Sequence, residues 1–174
     1  VGGSTGHSCI ALAQAYPGLN FIVQDLPEVV EGGPAISASI PDAGVSSRIQ
    51  YQEHDFFKTN PVVGADFYLL RMILHDWNFE NSVKILKAIV PAMKEWSSIV
   101  IMDSVLPAPG SVARSTERIV RVRDLTMTQV FNSQERDVED WEAILHEVDP
   151  SLGIKTISQP FGSVLALIEV GFVA

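Results

Sequence analysis

Apolar residues recur along this chain at two spacings, one helical and one strand-like, and the two alternate. After a turn-forming stretch from Gly2 to Gly6, residues 8–16 carry Cys9, Ile10, Leu12, Ala13 and Tyr16 on roughly one helical stripe. Residues 20–24 then read as a short apolar strand ending at Asp25, and Leu26-Pro27-Glu28 opens a second helix with proline near its first turn. The stretch from 32 to 44, rich in Gly, Pro, Ala and Ser, reads as a loop-like insertion. Residues 48–53 alternate as a strand, and 67–74 form a continuous apolar run of the buried type. A helical repeat through Val83, Leu86, Ile89, Val90 and Met93 spans 79–96, with Pro91 placed to bend or shorten it. A buried strand at 98–102, a linker at 107–110, and helices around 116–130 and 138–148 follow. The tail, 154–160 and 163–170, reads as two strands joined by a tight turn at Phe161-Gly162.

Strands separated by helices pair in parallel through crossover connections, whereas two closing strands in succession form an antiparallel hairpin. The expected fold is therefore α/β, a Rossmann-like doubly wound and mostly parallel sheet with an antiparallel hairpin at one edge. At 174 residues a single domain over 1–174 is expected. Val1 stands directly before the glycine cluster, with no initiator methionine and no room for the strand that usually precedes such a turn. The chain thus reads as a fragment.

Charge narrows the partners. With 12 basic and 21 acidic residues the net charge is −9, which repels phosphate backbones and anionic lipid, so no nucleic acid or membrane partner is expected. The single cysteine, Cys9, can form neither an internal disulfide nor a thiolate metal site. No apolar run is long enough to span a bilayer as a helix, and no signal-like segment opens the sequence. A cytoplasmic protein without a metal site is the expectation.

In an open α/β sheet, ligands sit outside the carboxyl ends of the strands, so the polar residues there are the candidates. Gly2, Gly3 and Gly6 form a turn whose missing side chains let backbone N–H groups and a helix N-terminus approach a ligand; a plain tight turn accounts for the glycines equally well. Asp25, 19 residues after Gly6, can accept both hydroxyls of a ribose, or simply cap the segment starting at Leu26. His54-Asp55-Phe56-Phe57 pairs an acid with aromatic faces and suits either an adenine or ordinary packing. Between Arg71 and Trp77 an apolar strand runs into His75-Asp76-Trp77. Histidine, with a pKa of about 6.5, is the natural base near neutrality, though a capping or core histidine fits the same pattern. Asp103 and Glu135 each stand where they can pair with a histidine or cap a helix. Arg114, Arg118 and Arg121 share a helical face with Glu117 and Asp124 nearby, which reads as a solvated, salt-bridged surface.

In their order along the chain these segments resemble the plant and fungal small-molecule O-methyltransferases, the group that includes caffeic acid and flavonoid O-methyltransferases. The resemblance covers nearly the whole chain. Val-Gly-Gly-Ser-Thr-Gly-His at 1–7 resembles the family's glycine motif, Gln-Asp-Leu-Pro-Glu-Val at 24–29 its ribose segment, and His-Asp-Phe-Phe at 54–57 its adenine-contacting element. The most specific match is the stretch from Arg71 to Trp77, similar to the catalytic segment, while residues 102–107 and 134–137 align with segments that supply acidic partners to the catalytic histidine.

The resemblance implies an S-adenosylmethionine cofactor, a small aromatic hydroxyl substrate, and a class I methyltransferase fold. By the same carry-over His75 is the base, oriented by Asp103 and Glu135. Asp25 holds the cofactor's ribose, Asp55 and Phe56 its adenine, Gly2, Gly3, Gly6 and Leu26 also contribute to cofactor binding, and Arg71 takes the place of a usual lysine near it. It further implies a homodimer formed through an N-terminal helical domain that this sequence lacks. Ser4 departs from a common glycine, Asp103 from a more usual glutamate, and Asp137 from the threonine that ordinarily follows the arginine. Three other classes remain open on the residues alone. Gly2 to Gly6 also fits the G-x-S-x-G elbow of a serine hydrolase, the loop-plus-acid pair suits a nicotinamide-dependent dehydrogenase, and a catalytically inactive cofactor-binding relative would show the same motifs.

Overall fold

The structure, a computed structural model, describes residues 1–173; residue 174, the last of the expected domain, lies outside the described residues. Two compact units divide the chain, Val1–Lys58 and Thr59–Ala174.

The first unit is built on two parallel strands, β1 (Phe21–Asp25) and β2 (Ile49–Glu53), with Asp25 opposite Glu53 at their carboxyl ends. Helix α1 (His7–Ala15) precedes β1 and packs Ala13 against Val23, Val45 and Ile49, a small apolar core flanked by Cys9, Ile10, Phe21, Ile40 and Tyr51. Pro27 sets the first turn of α2 (Pro27–Val30), where its missing N–H costs nothing. The stretch read as a loop is not one. It holds α3 (Gly33–Ala38), started by Pro34, and α4 (Ala43–Ser46), capped by the Asp42 side chain accepting from the Gly44 N–H at 2.8 Å. Proline and a capping aspartate begin helices as readily as they mark loops, and Ala35, Ala38 and Ala43 supply helix propensity. Arg48 ties this unit together by donating to the carbonyls of Ala13, Tyr16, Leu19 and Gly44.

The second unit holds a four-stranded sheet in the order β3 (Phe67–Arg71), β4 (Ser98–Asp103), β6 (Ala166–Phe172), β5 (Leu152–Ser158). β3 and β4 run parallel, and β6 is antiparallel to both β4 and β5. The closing hairpin is at the edge, as expected, and the reversed strand is its inner member: the last strand of the chain inserts between β4 and β5. Its connection is longer than a tight turn and occupies residues 159–165. Burial follows position. Ile99 and Ile101 of β4 and Ile168 and Val170 of β6 have no exposed surface, whereas β5 is exposed along most of its length.

Helix α5 (Phe79–Ile89) turns Val83, Ile85, Leu86 and Ile89 inward and is capped by Asn78, whose side chain accepts from the Asn81 N–H at 3.0 Å. Pro91 ends it, and the chain continues as a 3-10 turn at Val90–Ala92. α6 (Arg114–Phe131) and α7 (Val138–Val148) follow β4. In α7, Asp137 and Asp140 form a reciprocal capping box and Trp141, Ile144 and Leu145 are buried. On α6, Arg121 pairs with Glu117 at 3.7 Å as the charge pattern suggests, but Asp124 turns instead to the Glu135 backbone N–H.

The apolar run at 67–74 is shorter as a strand than expected. β3 stops at Arg71 because Met72 takes a left-handed backbone conformation, φ 53°, that a strand cannot continue through. The Met72 N–H still reaches the Met102 carbonyl at 3.0 Å, and the chain then curls into a 3-10 turn, Leu74–Asp76. That kink carries His75 away from the sheet register. No helix among the described residues is long and apolar enough to cross a membrane.

Candidate active site

In the first unit the glycine turn, Asp25, Leu26, Asp55 and Phe56 gather around the carboxyl ends of β1 and β2. Gly2 and Gly6 adopt left-handed conformations with φ 62° and 87°. A Cβ on Gly3 would meet Val23 Cγ1 at 2.8 Å, and one on Gly6 would meet the Tyr51 hydroxyl at 2.9 Å. The turn is therefore held against β1 by close backbone approach, and the Gly3 N–H donates to the Gln24 carbonyl at 2.9 Å. Gly6 caps α1 without a side-chain hydrogen bond, so the first N–H groups of that helix carry no side-chain acceptor.

Asp25 anchors this turn. Its Oδ2 accepts from the Ser4 N–H at 2.7 Å and its Oδ1 from the Leu26 N–H at 2.9 Å. A carboxylate offers about four lone-pair sites, so each oxygen keeps capacity for a further donor. The carbonyl of Asp25 accepts the His54 N–H at 2.8 Å, joining the two strand ends. Beyond it Asp55 folds back on the Phe57 N–H at 3.0 Å, and the Phe56 and Phe57 rings meet edge to face at 5.2 Å. Burial pushes the His54 imidazole below its ordinary pKa. The exposed Ser4 hydroxyl has no histidine partner among the described residues; His7, beside the turn, bonds Thr5 instead.

The second unit brings His75, Asp103 and Glu135 together. His75, 4% exposed, sits on the Leu74–Asp76 turn. Its Nδ1 lies 3.4 Å from Glu135 Oε1 and its Nε2 3.5 Å from Asp76 Oδ1. Asp103 ends β4, the strand beside β3, and is fully buried. Its carboxylate is close enough to the His75 backbone N–H to feel it, but neither oxygen completes a hydrogen bond of normal geometry. Burial pushes its carboxyl from the ordinary 3.8 up to about 7; His75 and Arg136 pull against that push and Glu135 adds to it. The contact with Glu135 raises the His75 pKa, and the charges of Asp103 and Asp76 act in the same direction against desolvation.

Glu135 is positioned from three sides. Its N–H donates to Asp124 of α6 at 3.0 Å, its Oε1 lies 3.7 Å from Arg123 Nε, and the following residue forms a β-bridge with Val105, two residues beyond Asp103. Arg71, by contrast, is the exposed last residue of β3 and belongs to this second unit rather than to the one holding the glycine turn. Two features escaped the sequence reading. Asp76 is a third carboxylate at the imidazole, visible in the His75-Asp76 pair but given no role. Arg136 is buried and bonds the carbonyls of Leu74 and Trp77, a contact that its place in the 134–137 segment did not by itself indicate. Among the described residues no cluster of three or more histidines, cysteines or acids is arranged to hold a metal ion.

Comparisons place this architecture. A family model described as the O-methyltransferase domain matches residues 1–149. The chain is 53% identical over 170 residues to the O-methyltransferase bik3 of Gibberella fujikuroi, covering 98% of this chain and 38% of that protein. It is 54% identical over 171 residues to the O-methyltransferase pgmB of Aspergillus terreus, covering 98% and 48%. Among solved structures, the mitomycin 7-O-methyltransferase MmcR superposes with a TM-score of 0.84 at 27% identity over 99% of this chain and 47% of its own. LepI in complex with SAM gives 0.83 at 33% identity over 99% and 42%. The chain thus spans less than half the length of these relatives, and its fold is that of the class I methyltransferases. With its family model covering the glycine turn, both strand-end acids, His75 and Glu135, the chain belongs to the O-methyltransferase domain family.

Proposed function

We propose that this chain is the cofactor-binding and catalytic part of an S-adenosylmethionine-dependent enzyme that methylates a hydroxyl of a small aromatic molecule, with His75 as the general base. The observation that carries this is the buried imidazole whose Nδ1 faces Glu135, with Nε2, 3.5 Å from the partly exposed Asp76 carboxylate, as the nitrogen available to take a proton.

The first unit fits the cofactor. Two of its three motif glycines would clash if given a side chain, Asp25 keeps free lone pairs for ribose hydroxyls, and Asp55 with Phe56 offers an acceptor beside an aromatic face for adenine. When bound, S-adenosylmethionine supplies a methyl group on a positively charged sulfonium. The remaining work belongs to the chain. A phenol with a pKa near 10 is protonated at neutrality, so a base that removes its proton contributes about 10²- to 10⁴-fold. With Nδ1–H directed at Glu135, the Nε2 lone pair of neutral His75 is the acceptor. The imidazolium that forms sits among Asp76, Asp103 and Glu135, which is what raises its pKa. Holding the acceptor oxygen in line adds a further contribution of roughly 7 to 11 kcal/mol at most.

Two further parts of this reading concern the whole protein. A homodimer, carried over from the family resemblance, is supported on this chain by the apolar stripe that Ile119, Val122 and Leu125 leave more than half exposed on α6; light scattering on the full-length protein tests it. A cytoplasmic location is part of the same proposal, the single cysteine being compatible with a reducing compartment, and fractionation tests it.

The deciding experiment incubates the full-length protein with methyl-labelled S-adenosylmethionine and a panel of phenols, naphthols and aromatic polyketides, and reads mass gains of one methyl. His75→Ala should abolish the gain while S-adenosylhomocysteine still binds. Full activity in that variant removes His75 from the role. Binding without transfer across the panel would favour an inactive or differently acting relative, such as the pericyclic reaction enzyme whose structure is 33% identical to this chain.

A further inference from the structure

Arg136 is 2% exposed, yet among the described residues no carboxylate lies within ion-pair distance of its guanidinium. Buried charges ordinarily pair with opposite charge or stay out of the interior. This one is instead directed at backbone. Nη1 donates to the Leu74 carbonyl at 2.8 Å, Nη2 donates to the Trp77 carbonyl at 2.5 Å, and the Ser82 hydroxyl lies 3.1 Å from Nη2. The Trp141 ring lies 5.1 Å from the guanidinium carbon and supports it from the side. Leu74 and Trp77 bracket His75, and a 3-10 turn of three residues has too few internal hydrogen bonds to hold its own geometry. The Ser82 hydroxyl, held by the same guanidinium, lies 3.2 Å from the Trp77 carbonyl and 3.4 Å from that of Leu74, and the Ser133 hydroxyl donates to the Trp77 carbonyl at 2.8 Å.

We propose that Arg136 is a positioning residue for His75, clamping the carbonyls on both sides of the imidazole-bearing turn so that the ring meets Glu135. Glu135 and Arg136 are chain neighbours, so one short segment sets both the side chain and the backbone of the histidine. That segment is itself held by the β-bridge to Val105 and by the Leu106 N–H donating to the Arg136 carbonyl at 2.8 Å. Serving two carbonyls at once needs a planar fork with nitrogens a fixed distance apart; a lysine ammonium, a point charge on a flexible stem, can satisfy one well. The charged groups that face His75 are Asp76 on its own turn, Asp103 from β4 and Glu135 from the loop after α6, with Arg123 of α6 beside Glu135.

The proposal rests on His75 being the proton acceptor, and its test has a readout that does not need methyl transfer. In the full-length protein, Arg136→Lys should fold, bind S-adenosylhomocysteine with unchanged affinity in calorimetry, and lose about 10- to 100-fold in kcat, the scale of a misplacement near 1 Å. The His75 imidazole, followed by NMR titration, should move down toward its ordinary pKa as its contact with Glu135 loosens. Ser133→Ala, which removes one donor from the same carbonyl, should show the same pattern at a few-fold. In Arg136→Ala, millimolar guanidinium should restore part of the rate where sodium at equal ionic strength does not. A folded Arg136→Lys with wild-type kcat and unchanged histidine titration overturns the clamp. So does an Arg136→Lys that fails to fold while Ser133→Ala leaves both rate and titration unchanged. If the wild-type protein methylates nothing in the panel, the function reading falls, while the titration still decides whether Arg136 governs the imidazole.

Discussion

His75 Nδ1 and Glu135 Oε1 stand 3.4 Å apart with both side chains buried, so the imidazole and its carboxylate are tied to each other rather than to water. At that separation the contact is longer than an ordinary N–H···O hydrogen bond, and the second oxygen of Glu135 has no hydrogen-bond partner.

Glu135→Gln removes the charge and keeps the shape. A general base works deprotonated, so the rate rises with pH through the His75 pKa, which Glu135 holds above its ordinary value. In the variant that acidic limb should shift to lower pH, because the imidazolium has lost its main stabiliser, while the plateau kcat falls about 100-fold. A pH–rate profile checks both, and an acidic limb that does not move would separate Glu135 from the titration of His75.

Asp103 ties stability to pH. Its carboxyl ionises near 3.8 when unfolded and at about 7 in the fold, so between these values the folded protein binds more protons and loses stability as pH rises. The raised His75 pKa acts in the same direction: its contribution is complete below about 6.5 and is lost as pH climbs through the folded value. Asp103→Asn should therefore flatten the decline between pH 4 and 7 and melt above the wild type at pH 8. Melting curves across that range give the answer, and parallel curves for the two proteins would show that the buried charge is not the cause.

Asp25→Ala should weaken S-adenosylhomocysteine binding at least tenfold, because it deletes the proposed ribose acceptor and also frees the Ser4 and Leu26 N–H groups that hold the glycine turn. Calorimetry beside His75→Ala, which should keep its affinity, distinguishes cofactor seating from proton transfer. Equal loss in both variants would contradict the division of roles.

Gly32 and Gly33 are adjacent but should differ sharply. A Cβ on Gly33 would lie 2.2 Å from the Tyr51 ring, whereas one on Gly32 would meet nothing within 4 Å. Gly33→Ala is expected to destabilise by about 1 to 3 kcal/mol through overpacking, and Gly32→Ala to stay near neutral. Urea unfolding of both tests this, and a neutral Gly33→Ala would mean that Tyr51 moves aside freely.

Much of the fold could be read along the chain because it depends on local chemistry. The helix at 138–148 was legible to the residue, since its apolar stripe and its Asp137 cap are both encoded within a few positions. The misjudged stretch at 32–44 fails for the same reason: Pro34 and Asp42 signal turn and helix start alike, and only packing against the Tyr51 ring chooses between them. The early end of β3 is also beyond a local reading, because nothing about methionine announces the left-handed conformation of Met72.

For the site, the sequence by itself determined which residue types stand at or just beyond the strand ends, namely the glycine turn, Asp25, Asp55, His75 and Asp103, and that Glu135 lies in a loop before a helix. Spacing along an element and the alternation of strand and helix are short-range properties, so the order of residues carries them. Only the tertiary structure decided that Asp25 anchors the turn it follows, that Asp76 joins the acids at the imidazole, and that Arg136 grips the carbonyls of Leu74 and Trp77, 62 and 59 residues before it. Such contacts join segments distant in sequence, and their strength comes from burial that no single segment creates alone.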